Sequence, residues 1–398
     1  MWDETLRGYD FGPAHPLHPV RLELTVDLAR AAGVLREDRI ALASAALAPD
    51  ELIELVHDPA YVEAVRRAPD GSSARYAAMF GLGSSDNPVF DGMHAAAARV
   101  TGATMAAADA VWTGRYQHAV SLAGGLHHAA RTSASGFCIY NDPAVAIAGL
   151  LRAGARRVAY IDLDVHHGDG VQAAFYDDPR VLTISLHQSG LTLFPGTGFA
   201  AEHGAGEATG TSVNVPLPPG TGDAGWLRAF SATVPVLLRA FGPEILVTQH
   251  GCDTHARDPL ADLRLSVDGQ RASYEAVHTL AHELCGGRWL ACGGGGYALA
   301  SVVPRAWTHL LAIASHDPLD GERALPAEWL GSAGARVEAA TGHRAGGDPP
   351  GCFGDGASAA FAAWDAGEGD PDDPVDRAIA TTRREILPLH GLDPDRDR

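Results

Sequence analysis

The chain has 398 residues, 46% of them hydrophobic and 20% charged, which supplies a large core and excludes wholesale disorder. A formal charge of -19 argues against nonspecific duplex binding, which runs on basic side chains neutralising phosphates. All 30 basic residues are arginine, so P-loop NTPases, protein kinases and Schiff-base or pyridoxal enzymes are excluded for want of a lysine amine. The excess of Ala, Gly, Arg and Pro reads as the bias of a GC-rich genome. Five cysteines, odd in number and without a C-x-x-C pair, point to a reducing compartment. The opening MWDETLRGYD has neither a basic n-region nor an apolar h-region, and no membrane span is evident. A cytoplasmic globular protein is expected.

In chain order, Asp58-Pro59 offers a helix start, and the Ala-rich run Asp91 to Thr113 is long enough for about six turns. Strand-like runs follow at His118 to Ala123, Arg157 to Ile161, Val181 to Leu186, Glu244 to Thr248 and Arg288 to Ala291. Each is short and apolar on both faces, as in a parallel sheet covered by helices. Asp142-Pro143 supplies another N-cap with proline behind it. The alternation predicts an α/β fold with one open, mostly parallel sheet and the site at the carboxyl ends of its strands. From Pro318 the texture turns to Gly, Asp and Pro, with loops at Gly346 to Gly356 and Ala366 to Asp373 and a last helix from Val375 to Leu387. Residues 1–317 are taken as the catalytic domain. Residues 318–398 are taken as an extension packing on it, too poor in apolar segments to fold alone.

Polar clusters follow these runs: Gly-Gly-Leu-His127-His128, Asp162-Leu-Asp164-Val-His166-His167-Gly-Asp169, Ser185-Leu-His187, His250-Gly-Cys-Asp253 and four glycines before Tyr297. Asp162, Asp164 and His166 alternate and share a face of an extended segment. Asp164, His166 and Asp253 make one imidazole and two carboxylates, which leaves room for water and substrate around a catalytic metal. Zinc, Fe(II) and Mn(II) all suit that set. Helix caps are the bland alternative, but such a density of charge is costly to bury without a cation. His127 or His128 can move a proton, with Asp162 and Asp169 fixing their tautomers. Tyr297 is either a donor to a developing oxyanion or a buried structural tyrosine.

Together these residues resemble the histone deacetylase family, within the arginase/deacetylase fold. The motifs include Ser135-Gly-Phe-Cys-Ile-Tyr-Asn-Asp142 and Phe194-Pro-Gly-Thr-Gly198, in family order from about Tyr9 to Leu310. Tyr9-Asp-Phe-Gly-Pro-Ala-His-Pro, Leu126 in place of a common tryptophan, and Leu325-Pro-Ala-Glu-Trp look most like its bacterial acetoin-utilization branch.

The resemblance implies a zinc-dependent amidohydrolase removing acetyl groups from protein lysines. Asp164, His166 and Asp253 match the metal ligands, and His128 the general base and acid. His127 matches its electrostatic support, Asp162 and Asp169 the orienting carboxylates, and Tyr297 the phenol that polarises the carbonyl. Phe137 and Phe194 match the walls of the acetyl-lysine tube, Gly136 its floor and Leu260 its rim. Asp86 matches the rim aspartate, although Gly-Ser-Ser-Asp-Asn-Pro departs from the usual flanks, and Arg21 matches the arginine of an acetate channel. Structural potassium or sodium is implied at Asp162, Asp164, His166, Ser185 and Leu186, and at Phe175, Asp178, Val181 and Thr211. The implied partner is an acetylated protein, acetyl-CoA synthetase for the acetoin-utilization branch, with no nucleic acid and no membrane. An acetylpolyamine amidohydrolase shares such a site, but no long insertion separates the motifs here. A ureohydrolase wants a further carboxylate where Cys252-Asp253-Thr-His-Ala-Arg-Asp258 stands. A silent acyl-lysine binding module has no need of Tyr297 or both His-Asp pairs.

Overall fold

A computed structural model describes residues 1–44, 46–71, 74–343, 347–364 and 369–397. Its strands are β1 (His118–Ser121), β2 (Val158–Asp162), β3 (Val181–Gln188), β4 (Ser212–Leu217), β5 (Ile245–Gln249) and β6 (Trp289–Cys292). They pair side by side in the order β1-β6-β5-β2-β3-β4, every pair parallel. The reason is burial on both faces. Alternation sends Ala159, Ile161 and Leu246 into one apolar cluster and Val158, Tyr160, Ile245 and Val247 into another. Helices of 12 to 20 residues supply the covering layers, among them Val20–Ala31, Met93–Trp112, Asp223–Phe241, Val267–Cys285 and Val303–Ala314.

The strand β4 had no counterpart among the expected ones. Its sequence Ser-Val-Asn-Val-Pro-Leu carries Pro216, and proline is tolerated here because β4 lies at the edge of the sheet. That edge is covered by the helix Pro374–Ile386, whose Thr382 hydroxyl donates to the Asn214 carbonyl at 2.7 Å. The helix expected from Val375 begins one residue earlier, at Pro374, with the Asp373 side chain accepting from the Val375 amide at 2.7 Å.

Of the two expected Asp-Pro starts, Asp58 caps the helix Pro59–Arg67 and accepts from the Ala60 amide at 2.9 Å, whereas Asp142 does not cap. Asn141, not Asp142, caps the helix Asp142–Arg152, accepting from the Ala144 amide at 3.0 Å. Asp142 turns inward instead and accepts from the amides of Gly125 and Leu126, which fixes the turn that leads to His127. In the two loops expected near the end, residues 346 and 366–368 lie outside the described residues. The rest, 347–356 and 369–373, contain neither helix nor ladder strand.

One feature of strand order positions the site. From β2 the chain moves outward through β3 and β4, then returns to place β5 on the other side of β2 and β6 beyond it. The β2/β5 boundary is therefore a switch point, where the loops leaving two adjacent strands diverge and open a crevice.

Candidate active site

The residues that leave the carboxyl ends of β1, β2, β5 and β6 meet in that crevice. A small cavity is lined by His127, His128, Gly136, Phe137, Asp164, His166, Gly295 and Tyr297, with Leu17 and Leu126 at its side. Asp164, His166 and Asp253 are buried, and one ligand atom from each lies within 4.8 Å of the others. The imidazole Nδ1 of His166 stands 3.2 Å from Asp164 Oδ1 and 3.1 Å from Asp253 Oδ2. Backbone holds the carboxylates in turn. The Gly295 amide donates to Asp164 Oδ2 at 2.8 Å and the Val165 amide to Asp253 Oδ1 at 3.0 Å. A Cβ added at Gly295 would overlap Asp253, and one at Gly251 would overlap Asp164, so glycine is what lets the backbone approach this closely.

This donor set fits a divalent cation. Burial and the charge of Asp164 push Asp253 up to about 6, and burial and Asp253 push Asp258 up to about 7. Against its burial, His127 and His166 hold Asp164 well below the ordinary carboxylate value. With Asp253 and Asp258 both raised, the pocket still carries more negative charge than its own groups offset, and a cation between Asp164 and Asp253 suits it.

Two histidine–aspartate pairs stand beside the ligands. His127 Nδ1 is 2.7 Å from Asp162 Oδ2, His128 Nδ1 is 2.7 Å from Asp169 Oδ1, and the two Nε2 atoms face each other at 3.0 Å. With each Nδ1 proton directed at a carboxylate, the facing nitrogens must share one further proton. Burial alone would lower His127, but Asp162 and Asp164 outweigh it and raise it to about 9. Burial and the charge on His127 hold His128 at about 4. His127 is the imidazolium of the pair and His128 the free base. Asp162 is fixed further by the Tyr160 hydroxyl, which donates to its Oδ2 at 2.8 Å.

Tyr297 is buried, and burial followed by the charge of Asp253 raises its phenol well above the ordinary value, so it stays a protonated donor. Its amide donates to Asp258 Oδ2 at 2.8 Å, and its ring meets Phe137 edge-on with centroids 5.7 Å apart. Phe137 holds a left-handed backbone angle, φ 69°, fixed by the Tyr9 hydroxyl donating to its carbonyl at 2.8 Å. Phe194 is 44% exposed and packs its edge on His128 at 5.0 Å, so it stands at the mouth. Gly136, φ 51°, lies flat against the His128 ring, and an added Cβ would overlap that ring and press on Phe194 at 2.9 Å.

The remaining expected residues fall around this centre. Asp86 is exposed, and its carbonyl lies 3.2 Å from His15 Nε2, whose ring packs on Phe137 at 4.5 Å. Leu260 is half-buried behind Asp258, which accepts from its amide at 3.0 Å. Buried Arg21 donates to the Gly296 carbonyl at 3.1 Å behind Tyr297 and lies over Trp307. Ser185 pairs with Asp162 across β2 and β3, and Leu186 is the next residue of β3. Phe175, Asp178, Val181 and Thr211 gather where β3 begins, the Asp178 carboxylate being bound to Arg180 at 2.6 Å.

Sequence reasoning missed three supports. Tyr9 and His15 brace Phe137, and Asp258 holds Tyr297. All three sit in quoted motifs, but their roles depend on contacts across the fold rather than on spacing. Gln249, the last residue of β5, donates to Asp164 Oδ2 at 3.2 Å and is visible only once β5 is laid beside β2.

Comparison with known proteins agrees with this geometry. The histone deacetylase domain model matches residues 15–314. The chain belongs to the histone deacetylase family. It is 42% identical over 332 residues to the acetoin utilization protein AcuC of Bacillus subtilis, covering 83% of this chain and 84% of that one. It is 38% identical over 331 residues to AcuC of Staphylococcus aureus, with the same coverage. A crystal structure of an HDAC homolog complexed with SAHA superposes with a TM-score of 0.78 at 29% identity, covering 94% of this chain and 96% of that one. An HDAC homolog from Aquifex aeolicus gives 0.77 at 28% identity, with 95% and 97% covered. The fold is the arginase/deacetylase fold, and the chemistry is that of a deacetylase, an amidohydrolase. No helix among the described residues is long and apolar enough to cross a membrane.

Proposed function

We propose that this protein is a zinc-dependent lysine deacetylase acting on acetylated proteins. The observation supporting this is the convergence of both His-Asp pairs, a protonated phenol and a two-carboxylate, one-imidazole set on one small cavity. A divalent ion held by Asp164, His166 and Asp253 supplies Lewis acidity toward water and the amide carbonyl. His128 takes the proton of the attacking water, and Asp169 keeps its Nδ1 proton in place. Tyr297 donates to the oxyanion as it develops. His127, carrying a proton and anchored by Asp162, sets the field at His128 and favours delivery of its proton to the departing amine.

In this reading Phe137 and Phe194 flank the aliphatic stem of acetyl-lysine, Gly136 lets it pass His128, Leu260 closes the rim, and Asp86 accepts from the substrate backbone. Arg21 attends release of acetate. Potassium or sodium at the two carbonyl-rich sets steadies the loops after β2 and before β3. The resemblance to the acetoin-utilization branch nominates acetyl-CoA synthetase as the partner, in the cytoplasm. Residues 1–317 carry the chemistry and 318–398 brace it. Because the chain has no lysine, any side-chain acetyl-lysine in an assay belongs to the substrate.

The test compares kcat/KM of the zinc-loaded protein on an acetyl-lysine peptide and on N-acetylputrescine. Preference for the peptide is expected. Preference for the polyamine keeps the chemistry and overturns the substrate, and hydrolysis of neither leaves an acyl-lysine binding module.

A further inference from the structure

A second cluster of ligands lies at the other edge of the sheet. His118 is the first residue of β1, at its amino end, whereas the catalytic groups follow the carboxyl ends. His278 and His282 stand four residues apart on one face of the helix Val267–Cys285, and His316 follows the helix Val303–Ala314. One ring nitrogen from each of the four lies within 4.8 Å of the others. Their ring centroids are 4.7 to 5.3 Å apart in all six pairings.

Two details distinguish this group from histidines that merely pack. The Nδ1 of His118 lies 3.0 Å from the Ala314 carbonyl, so it carries the proton and leaves the Nε2 lone pair turned to the cluster. His118 Nε2 and His278 Nε2 are both buried without a hydrogen-bond partner, and an orphaned buried acceptor is rare unless something binds it. His316 is presented by the left-handed turn (φ 59°) that ends the helix Val303–Ala314, where the Asp317 amide donates to the Ala312 carbonyl at 2.9 Å.

We propose that His118, His278, His282 and His316 form a second metal site that takes zinc or another late first-row divalent ion. Four imidazoles and no carboxylate suit Zn, Cu or Ni rather than Mg or Ca. Zinc with nitrogens at about 2.0–2.1 Å sets its tetrahedral ligands roughly 3.3 Å apart, a modest closing of rings that are in part exposed. Four protein ligands complete a tetrahedron, so the site is structural: it ties the start of β1 to the ends of two helices that cover the sheet. The inference does not depend on the deacetylase reading.

The test is a count. The full chain, stripped with a chelator, is dialysed against zinc at neutral pH and its bound metal measured by mass spectrometry. Wild type is expected to hold two ions, His278→Ala/His282→Ala one, and Asp164→Ala/Asp253→Ala one. His316→Asn, which keeps a residue tolerant of the left-handed turn, is expected to weaken the second ion tenfold or more without loss of fold. In wild type the second equivalent should raise the thermal midpoint, and in the histidine variants it should not. A doubly substituted histidine variant that binds as many ions as wild type overturns the proposal, whereas a single wild-type ion lost from that variant and kept in Asp164→Ala/Asp253→Ala supports it and counts against the catalytic metal instead.

Discussion

Asp355→Asn removes one carboxylate from a buried junction between the last part of the chain and the site. Asp355 Oδ1 lies 2.9 Å from Arg305, whose side chain is 0% exposed, and Asp355 Oδ2 accepts from His255 Nε2 at 2.9 Å and the Val267 amide at 2.8 Å. Arg305 also donates to the carbonyls of Ser301, Phe353 and Gly354, so it cannot turn to solvent when its counter-charge is lost. Breaking a buried pair from one side costs about 3–5 kcal/mol. The Asp355 side chain is 19% exposed and asparagine keeps one acceptor, which places this case lower, at about 2–3 kcal/mol. Urea unfolding should show it as a lower midpoint at unchanged slope.

The pH dependence has a definite sign. Burial alone would raise Asp355, but the His255 hydrogen bond and the Arg305 charge outweigh it and hold it well below the ordinary carboxylate value. Its contribution is therefore full above the unfolded value of about 3.9 and fades as pH falls through the lower folded value. The difference between wild type and Asp355→Asn should shrink along that acid limb. A cost under about 0.5 kcal/mol at neutral pH, the range of an ordinary surface change, would refute the junction.

Other outcomes follow from the same contacts. Tyr297→Phe should lower kcat by about 10²-fold or more with the fold intact, since the oxyanion loses a donor; an unchanged kcat removes that role. Gly136→Ala should cut kcat/KM at least tenfold, because the added Cβ meets the His128 ring and the site requires φ 51°. His57 is fully buried, its Nδ1 3.0 Å from the Ala130 carbonyl and its Nε2 accepting from the Asn141 amide at 2.9 Å, and burial lowers it from 6.5 to about 4. Its contribution is complete above pH 6.5 and lost toward pH 4, about 3 kcal/mol in all. In His57→Gln the slope of stability against pH across that window should flatten, as urea titrations at several pH values will show.

Much of the site was legible because its chemistry is local. Asp162 to Asp169 and His127-His128 are compact runs behind apolar strands, and strand ends in a parallel sheet must converge. The rest depends on side chains far apart in sequence. Pro216 hid β4, since proline argues against a strand and only the edge position excuses it. Asp142 looked like a cap because Asp-Pro opens helices, yet two amides of the β1 loop recruit it inward. The Asp355–Arg305 junction spans 50 positions, and the four histidines come from stretches 34 to 198 positions apart, with only the His278–His282 spacing local.

The most direct measurement is acetate release from an acetyl-lysine peptide, comparing wild type with His128→Ala at matched zinc content. Wild type is expected to hydrolyse the peptide and the variant to lose about 10²–10⁴-fold in rate, as on removing a positioned base. An inert wild type would overturn the lysine deacetylase reading, and a variant that hydrolyses the peptide as fast would remove His128 as the base.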